Sequence, residues 1–436
     1  MANTFQTSRK TELIALRAAE SAAYLTVGSR KYFKDQLKNK RNGTAYDFVV
    51  CDAGEYQRGV DISGTGASNL VERKVTKTLK VGNVAIATNL IEKVTDLDWD
   101  KEVAIPNGKK LINGTVRDTI DGLKGKTIDG STYTVYDGDF GQQNTAFFGI
   151  GYGPLTAASN FLASVSDEDR YFFIDPMINA KLSDAGDAFK PKDADPMFSK
   201  GLIGTLGGQE VRTCQFMPLV SVSSALATAM ATVDGIAYVD NSDGTASITL
   251  SASSTPIAVK IPKGFVIWIN GVYATDLVGD RTNTLKAFIA VEDGTSNGVM
   301  IVKSVDEFVN NGNKQLCNAD GSALGSSKAA AITALNGKVT NAGDVKFLEA
   351  GNYFSGIVRL DGVMEFETLD EIDASNADTE MATNEGITVF KNRAIDVLKG
   401  QNITRWTDTY MAGIVEPRGA ALVLVKDADV NKVKVV

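Results

Sequence analysis

Carboxylates are the most abundant side chains in this sequence that could do acid–base work. The chain carries 53 Asp and Glu and not one histidine. That removes the commonest general base, every Ser–His or Cys–His dyad, and the commonest ligand for zinc, copper and haem. What remains is carboxylate-only chemistry, such as glycoside hydrolysis or magnesium-dependent phosphoryl transfer. The three cysteines, Cys51, Cys214 and Cys317, are far apart and form no CxxC. This argues against a disulfide framework or a close-spaced thiolate metal site, and predicts small, buried, unreactive thiols.

The acids fall in clusters that read as solvated loops. Asp96, Asp98 and Asp100 surround Trp99, but the run lacks the glycine and distal glutamate of an EF-hand loop. Asp167-Glu168-Asp169 closes a helical stretch, and Asp370, Glu371 and Asp373 lie in a polar run. Gly149-Ile150-Gly151-Tyr152-Gly153-Pro154 is half of a dinucleotide loop, but a proline stands where the fingerprint needs its third glycine. It reads as a turn into a helix. No GxxxxGK[ST] is present, and Gly204-Thr205-Leu206-Gly207-Gly208 reads as a flexible connection. Trp99, Trp268 and Trp406 read as core or interface anchors. No catalytic residue, metal or cofactor is assigned, and the chain reads as a non-enzyme.

Around these residues the chain divides into recognisable elements. Thr7 to Tyr24 has helical spacing through Leu13, Leu16, Ala19 and Ala23. From Arg30 to Arg41 six cations face the single acid Asp35. A solvated face is the preferred reading, and contact with nucleic acid or an acidic neighbour is the sharper one. Ala45 to Cys51 is strand-like. Asp52 to Asn69 is Gly-, Asp-, Ser- and Thr-rich, and Val71 to Ile86 alternates, with Val71, Val75, Leu79 and Val81 on one face. Together they predict two long strands joined by a polar tip, an arm too polar to build its own core and suited to lying on a neighbouring subunit.

Further along, Gly108 to Lys126 predicts a helix with Leu111, Ile112, Val116, Ile120 and Leu123 on one side. Thr132 to Tyr136 predicts a strand, and Leu155 to Val165 a helix opened by Pro154. Tyr171 to Pro176 predicts a buried strand stopped by proline. Between about Ser221 and Val302 lie six short strand candidates: Ile236–Val239, Ser247–Leu250, Ile257–Ile261, Phe265–Tyr273, Leu285–Val291 and Val299–Val302. Turn signals separate them, which predicts a small β-barrel or sandwich inserted between mixed segments. Ser326 to Val339 predicts a helix, and Ile387 to Leu398 a helical or strand-helix element. Tyr410 to Val425 predicts two strands around a Pro-Arg-Gly turn.

The 436 residues are long for one simple domain. No apolar run approaches a membrane span, and the start lacks the pattern of a secretory signal, so a soluble protein made in a cytoplasm is expected. A net charge of −8 argues against general nucleic-acid binding.

The order of these pieces resembles the major capsid proteins of tailed phages, the HK97-type fold. The closest likeness is to short-tailed phage coat proteins with a β-barrel insertion. The likeness is carried by Arg170-Tyr171-Phe172-Phe173-Ile174-Asp175-Pro176, by Met197 to Gly201 running through Met217 to Val220, and by the strands of Tyr410 to Val425 with Gly413 and Pro417, which resemble the family's closing hairpin. The resemblance implies an α+β fold with an N-terminal arm (1–45), an extended loop (46–84), and a peripheral domain with the spine helix (85–150). It further implies the first part of an axial domain (151–220), an inserted β-rich domain (221–325), and an axial and peripheral return with the C-terminal strands (326–436). By the same resemblance the subunits form hexamers and pentamers of an icosahedral virion shell around double-stranded DNA, assembled in the host cytoplasm with scaffolding protein and portal and no membrane. The extended loop would lie over the next subunit through Asp52, Glu55, Arg58, Asp61, Lys74, Lys77 and Lys80, the lysines meeting acids such as Asp167 or Glu168. The competing readings are another phage structural part, such as a tail or decoration subunit, and a carboxylate-only carbohydrate-active enzyme.

Overall fold

A computed structural model describes residues 14–16, 18–19, 22–30, 45–51, 72–89, 103, 105–122, 136–178, 202–206, 209–241, 243–294, 297–310, 312–369, 379–396 and 401–427. In chain order the elements begin with α1 (Ala23–Thr26), β1 (Ser29–Arg30), β2 (Ala45–Cys51), β3 (Glu72–Thr78), β4 (Lys80–Asn89) and α2 (Ile105–Asp121). Next come β5 (Thr145–Gly149), α3 (Gly153–Val165), β6 (Arg170–Ile174), β7 (Leu202–Leu206), β8 (Gln209–Thr213), β9 (Leu219–Val222) and α4 (Ser224–Met230). The β-rich stretch holds β10 (Gly235–Asp240), β11 (Thr245–Ala252), β12 (Thr255–Pro256), β13 (Val266–Thr275), β14 (Arg281–Ile289), β15 (Val299–Lys303) and β16 (Leu316–Cys317). The chain closes with α5 (Lys328–Asn336), β17 (Val345–Phe347), β18 (Gly351–Leu360), β19 (Met364–Thr368), β20 (Thr379–Asn384), β21 (Ile387–Asp396), β22 (Gln401–Ile414) and β23 (Ala420–Lys426). The architecture is mixed α+β.

Two large sheets carry the body. In the seven-stranded one, β18 is central, flanked by β23 on one edge and by β6 and β9 on the other. Its residues from Ser355 to Leu360 are all buried, as a strand covered on both faces must be. In the six-stranded sheet, the 14-residue β22 lies between β21 and β4, and its last five residues pair with β19. Helix α2 packs on this sheet through Leu111, Ile112, Thr115, Val116 and Ile120. It stops at Gly122, whose φ of +59° lets the chain turn off the helix. Helix α3 starts with proline in its first turn, as expected, and packs on β5 and β23.

Several local expectations are corrected. The Val71–Ile86 run is not one strand. Leu79 stands outside the ladders, and there the chain leaves β2 as partner and takes β22. Ile387 onward is a strand, joined to β20 by the tight turn Glu385-Gly386 with φ of 47° and 85°, the geometry a two-residue hairpin needs. Ile257–Ile261 forms no strand, because Pro256 and Pro262 bracket it and only isolated backbone bonds hold it. Gly204, Thr205 and Leu206 lie in β7, not in a loose connection, and Tyr136 is irregular. The strands around the Pro-Arg-Gly turn do not pair with each other. Residues Pro417–Gly419 instead pass the chain from one large sheet to the other.

Among the described residues the β-rich stretch forms two four-stranded sheets, β10–β11–β12 with β15 and β14–β13–β16 with β17, joined by an Ala290–Val302 bridge and by side-chain packing such as Tyr238 on Phe288. Its interior merges with the rest: one contiguous apolar cluster includes Ile248, Val266 and Ile267 together with Leu162, Phe172 and Leu422.

A polar arm and the charge sockets at its root

Among the described strands β2 and β3 pair only with each other, in register from Ala45 opposite Thr78 to Cys51 opposite Glu72. A lone hairpin is marginal in water. What fixes this one is its root, where Arg73, Lys77 and Lys80 are each less than 4% exposed. Arg73 and Lys77 share a face of β3 with Val75. The break at Leu79 turns Lys80 inward as well.

Each cation enters a different socket. Arg73 donates to Glu416 at 2.7 Å and lies 3.5 Å from Asp306. Glu416 in turn binds Arg418 at 2.9 Å, and Arg418 donates to the Gly312 carbonyl at 2.5 Å. Lys80 bridges Asp118 of α2 at 3.0 Å and Asp137 at 2.9 Å. Lys77 projects toward Gly413, where a Cβ would stand 2.7 Å from its Nζ and 3.2 Å from Asp139 Oδ1. Gly413 has a φ of +141°, so both the conformation and the space call for glycine.

Asp139 joins three distant segments. Its Oδ1 accepts the Ile414 N–H at 2.7 Å, and its Oδ2 accepts the Tyr24 hydroxyl at 2.7 Å. Tyr24 packs edge-on against Phe173, and the buried Arg359 guanidinium lies over both rings. Arg359 also donates to the carbonyls of Tyr24 and Val27, at 2.6 and 2.8 Å, and contacts Met364 Sδ. It thereby satisfies the carbonyls left open where α1 ends. Beside these groups, Asp408 of β22 accepts the Thr115 hydroxyl at 2.5 Å, and Tyr410 donates to Asp118 at 2.6 Å. Position 82 must be glycine here, since a Cβ would collide with the Asp408 carboxylate.

Burial sets the protonation of these groups. Desolvation pulls the Lys77 ammonium below its ordinary value, with Asp139 and Asp137 opposing. The same cause raises Asp139 against the pull of Lys77, the Ile414 N–H and Tyr24. Burial also disfavours charge on Lys80, but Asp137 and Asp118 outweigh it and hold the amine above the usual lysine range. Glu416 is desolvated too, yet Arg418 and Arg73 keep it below the usual carboxylate range. Among the described residues no cation pulls Asp408 down, and desolvation pushes it up to about 6.

These positions revise the expected contacts. Lys77 and Lys80 are occupied inside the subunit, because β3 and β4 enter the sheet junction here. Lys80's partners are Asp118 and Asp137 rather than Asp167 or Glu168, which are exposed in the turn after α3. Lys74 is exposed on the opposite face of β3. Asp52, Glu55, Arg58 and Asp61 lie outside the described residues, as do Lys31 to Arg41, Trp99, its flanking acids, and Asp370, Glu371 and Asp373. Trp268 and Trp406 are buried. Burial raises the thiols of Cys214 and Cys317, to about 12 and about 11. Among the described residues no group of three or more Cys, Asp or Glu could hold a metal ion.

The acids that matter, Asp118, Asp137, Asp139, Asp408 and Glu416, were not singled out by sequence patterning. Two of them carried a local signal. Asp118 lies on the apolar stripe of α2, between Val116 and Ile120, and Asp408 interrupts a strand rich in aromatic and β-branched residues.

No family model and no curated protein matches the sequence. Solved structures similar to the chain include the capsid of Ralstonia phage GP4, at 8% identity and a TM-score of 0.42, covering 91% of this chain and 86% of that one. The acid-stable capsid of Helicobacter pylori bacteriophage KHP30 is similar at 9% identity and a TM-score of 0.40, over 96% and 91%. A structure of Mycobacterium phage Che8 is similar at 8% and 0.39, over 91% and 89%.

Proposed function

We propose that the chain is a major capsid protein of a tailed phage, self-assembling into the icosahedral shell that encloses packaged double-stranded DNA. The observation that carries this reading is the β2–β3 hairpin. Among the described strands it pairs only with itself, has too little sheet to stand alone, and is nonetheless locked at its root by three buried cation sockets. A rigid root under a thin arm suits a segment whose stabilising surface belongs to another subunit. The other end of the six-stranded sheet supports the same reading. Among the described strands β20 is an edge, with Met381 half exposed. In this reading the fold is HK97-like, with the β-rich stretch as an insertion and α2 as the spine helix. Hexamers, pentamers, a scaffolding protein, a portal and DNA on the inner surface are the partners, and the role is structural rather than catalytic.

Negative-stain microscopy of the expressed protein, with and without a scaffolding partner, tests this. Closed shells or capsomers are expected. A strictly monomeric species under all conditions would overturn the proposal, whereas rings or filaments would point to a tail or decoration subunit. Removing residues 52–69 should abolish shells and leave a folded subunit.

A further inference from the structure

Most of what holds the hairpin root comes from chain synthesised long after it. Among the described strands β4 pairs with β22 alone, from Lys80 opposite Tyr410 to Asn89 opposite Gln401. Arg73 takes Glu416, 343 positions downstream. The notch for Lys77 is Gly413, and the acid facing it is oriented by the Ile414 N–H. Even Asp118, one of the two acids on Lys80, is held by Tyr410. The β2–β3 ladder itself is local, but a local hairpin of two strands gains little until its root is buried. Contacts at this separation form late, because loop closure precedes any gain from them.

We propose that docking of the 401–418 segment is the event that sets the hairpin in place, so that a chain whose distal strand has not folded presents no arm. The joint reaches the β-rich stretch as well, through Asp306 and Gly312. Completion of the body and deployment of the arm are therefore one step. The consequence for assembly rests on the shell-forming reading: partly folded subunits are kept out of a growing shell because they lack the arm.

Two measurements on the full chain test the inference. In pulsed hydrogen exchange during refolding from denaturant, protection of 80–89 should appear in the same phase as protection of 401–414. Earlier protection of 80–89 would overturn it. In the native protein, Glu416→Gln should raise exchange across 72–78 by about tenfold, the scale of one charged hydrogen bond. Strand β11 should not change. Unchanged exchange at 72–78 would also overturn the inference. If both results come out as expected but no shells form, the functional proposal fails and the folding order stands.

Discussion

The Tyr24 hydroxyl donates to Asp139 across 115 residues of sequence, at 2.7 Å and out of contact with water. This bond ties the N-terminal helical turn to the loop that also receives β22 and faces Lys77. Asp139 thus collects the early, middle and late parts of the chain at one carboxylate.

Removing the hydroxyl should therefore weaken the subunit more than a surface change would. Tyr24→Phe is expected to cost about 1.5–3 kcal/mol, the range for a buried hydrogen bond to a charged group. Asp139→Ala should cost more, since it also leaves the Ile414 N–H without its acceptor and the buried Lys77 without the attraction of that carboxylate. Chemical denaturation with an unchanged m-value checks both.

The lysines of the arm should separate cleanly by position. Lys80→Met leaves Asp118 and Asp137 buried without their cation, and about 3–5 kcal/mol of stability should be lost. Lys74→Met, on the exposed face, should change subunit stability by less than about 0.5 kcal/mol. If Lys74 meets a neighbouring subunit, that variant should still assemble less well, which light scattering would show.

Acidity should act through Asp408. Its folded-state value of about 6 lies above the ordinary carboxylate value of 3.8, so the native state holds the proton more tightly than the unfolded chain. Stability from this group is fully present below the unfolded value and lost as pH rises through 6. The difference is on the order of 3 kcal/mol. Asp408→Asn should flatten the pH dependence of the melting temperature between about pH 4 and 6 and leave the variant the more stable protein at pH 8. An unaltered slope would show that another group is responsible.

The sequence disclosed the elements whose causes are local. Pro154 opens α3, the alternation of β10 and β11 reads directly, and the helix expected from Ser326 is present as α5. It disclosed the hairpin, since polar turn chemistry lies between two alternating runs. It did not disclose the root. Lysines at 77 and 80 read as contacts to a neighbouring subunit, and only acids brought from other parts of the chain place them inside this one. Nor could alternation reveal that the strand changes partners at Leu79, because both ladders demand the same period of two. The β-rich stretch was legible as strands, but the choice between barrel and sandwich was not, because closure depends on pairings far apart in sequence. The 387–396 strand was misjudged because its hairpin signal, Glu385-Gly386, lies just before it and places a non-glycine at positive φ.

Gly82 and Asp408 face each other across β4 and β22, one residue supplying the hollow and the other the carboxylate that fills it. Neither is free to change size alone. A larger residue at 82 has room only if 408 shrinks, and a shortened 408 leaves a void that a methyl at 82 could fill. Across related chains the two positions should therefore change together. Their covariation would be visible in an alignment with no knowledge of the fold.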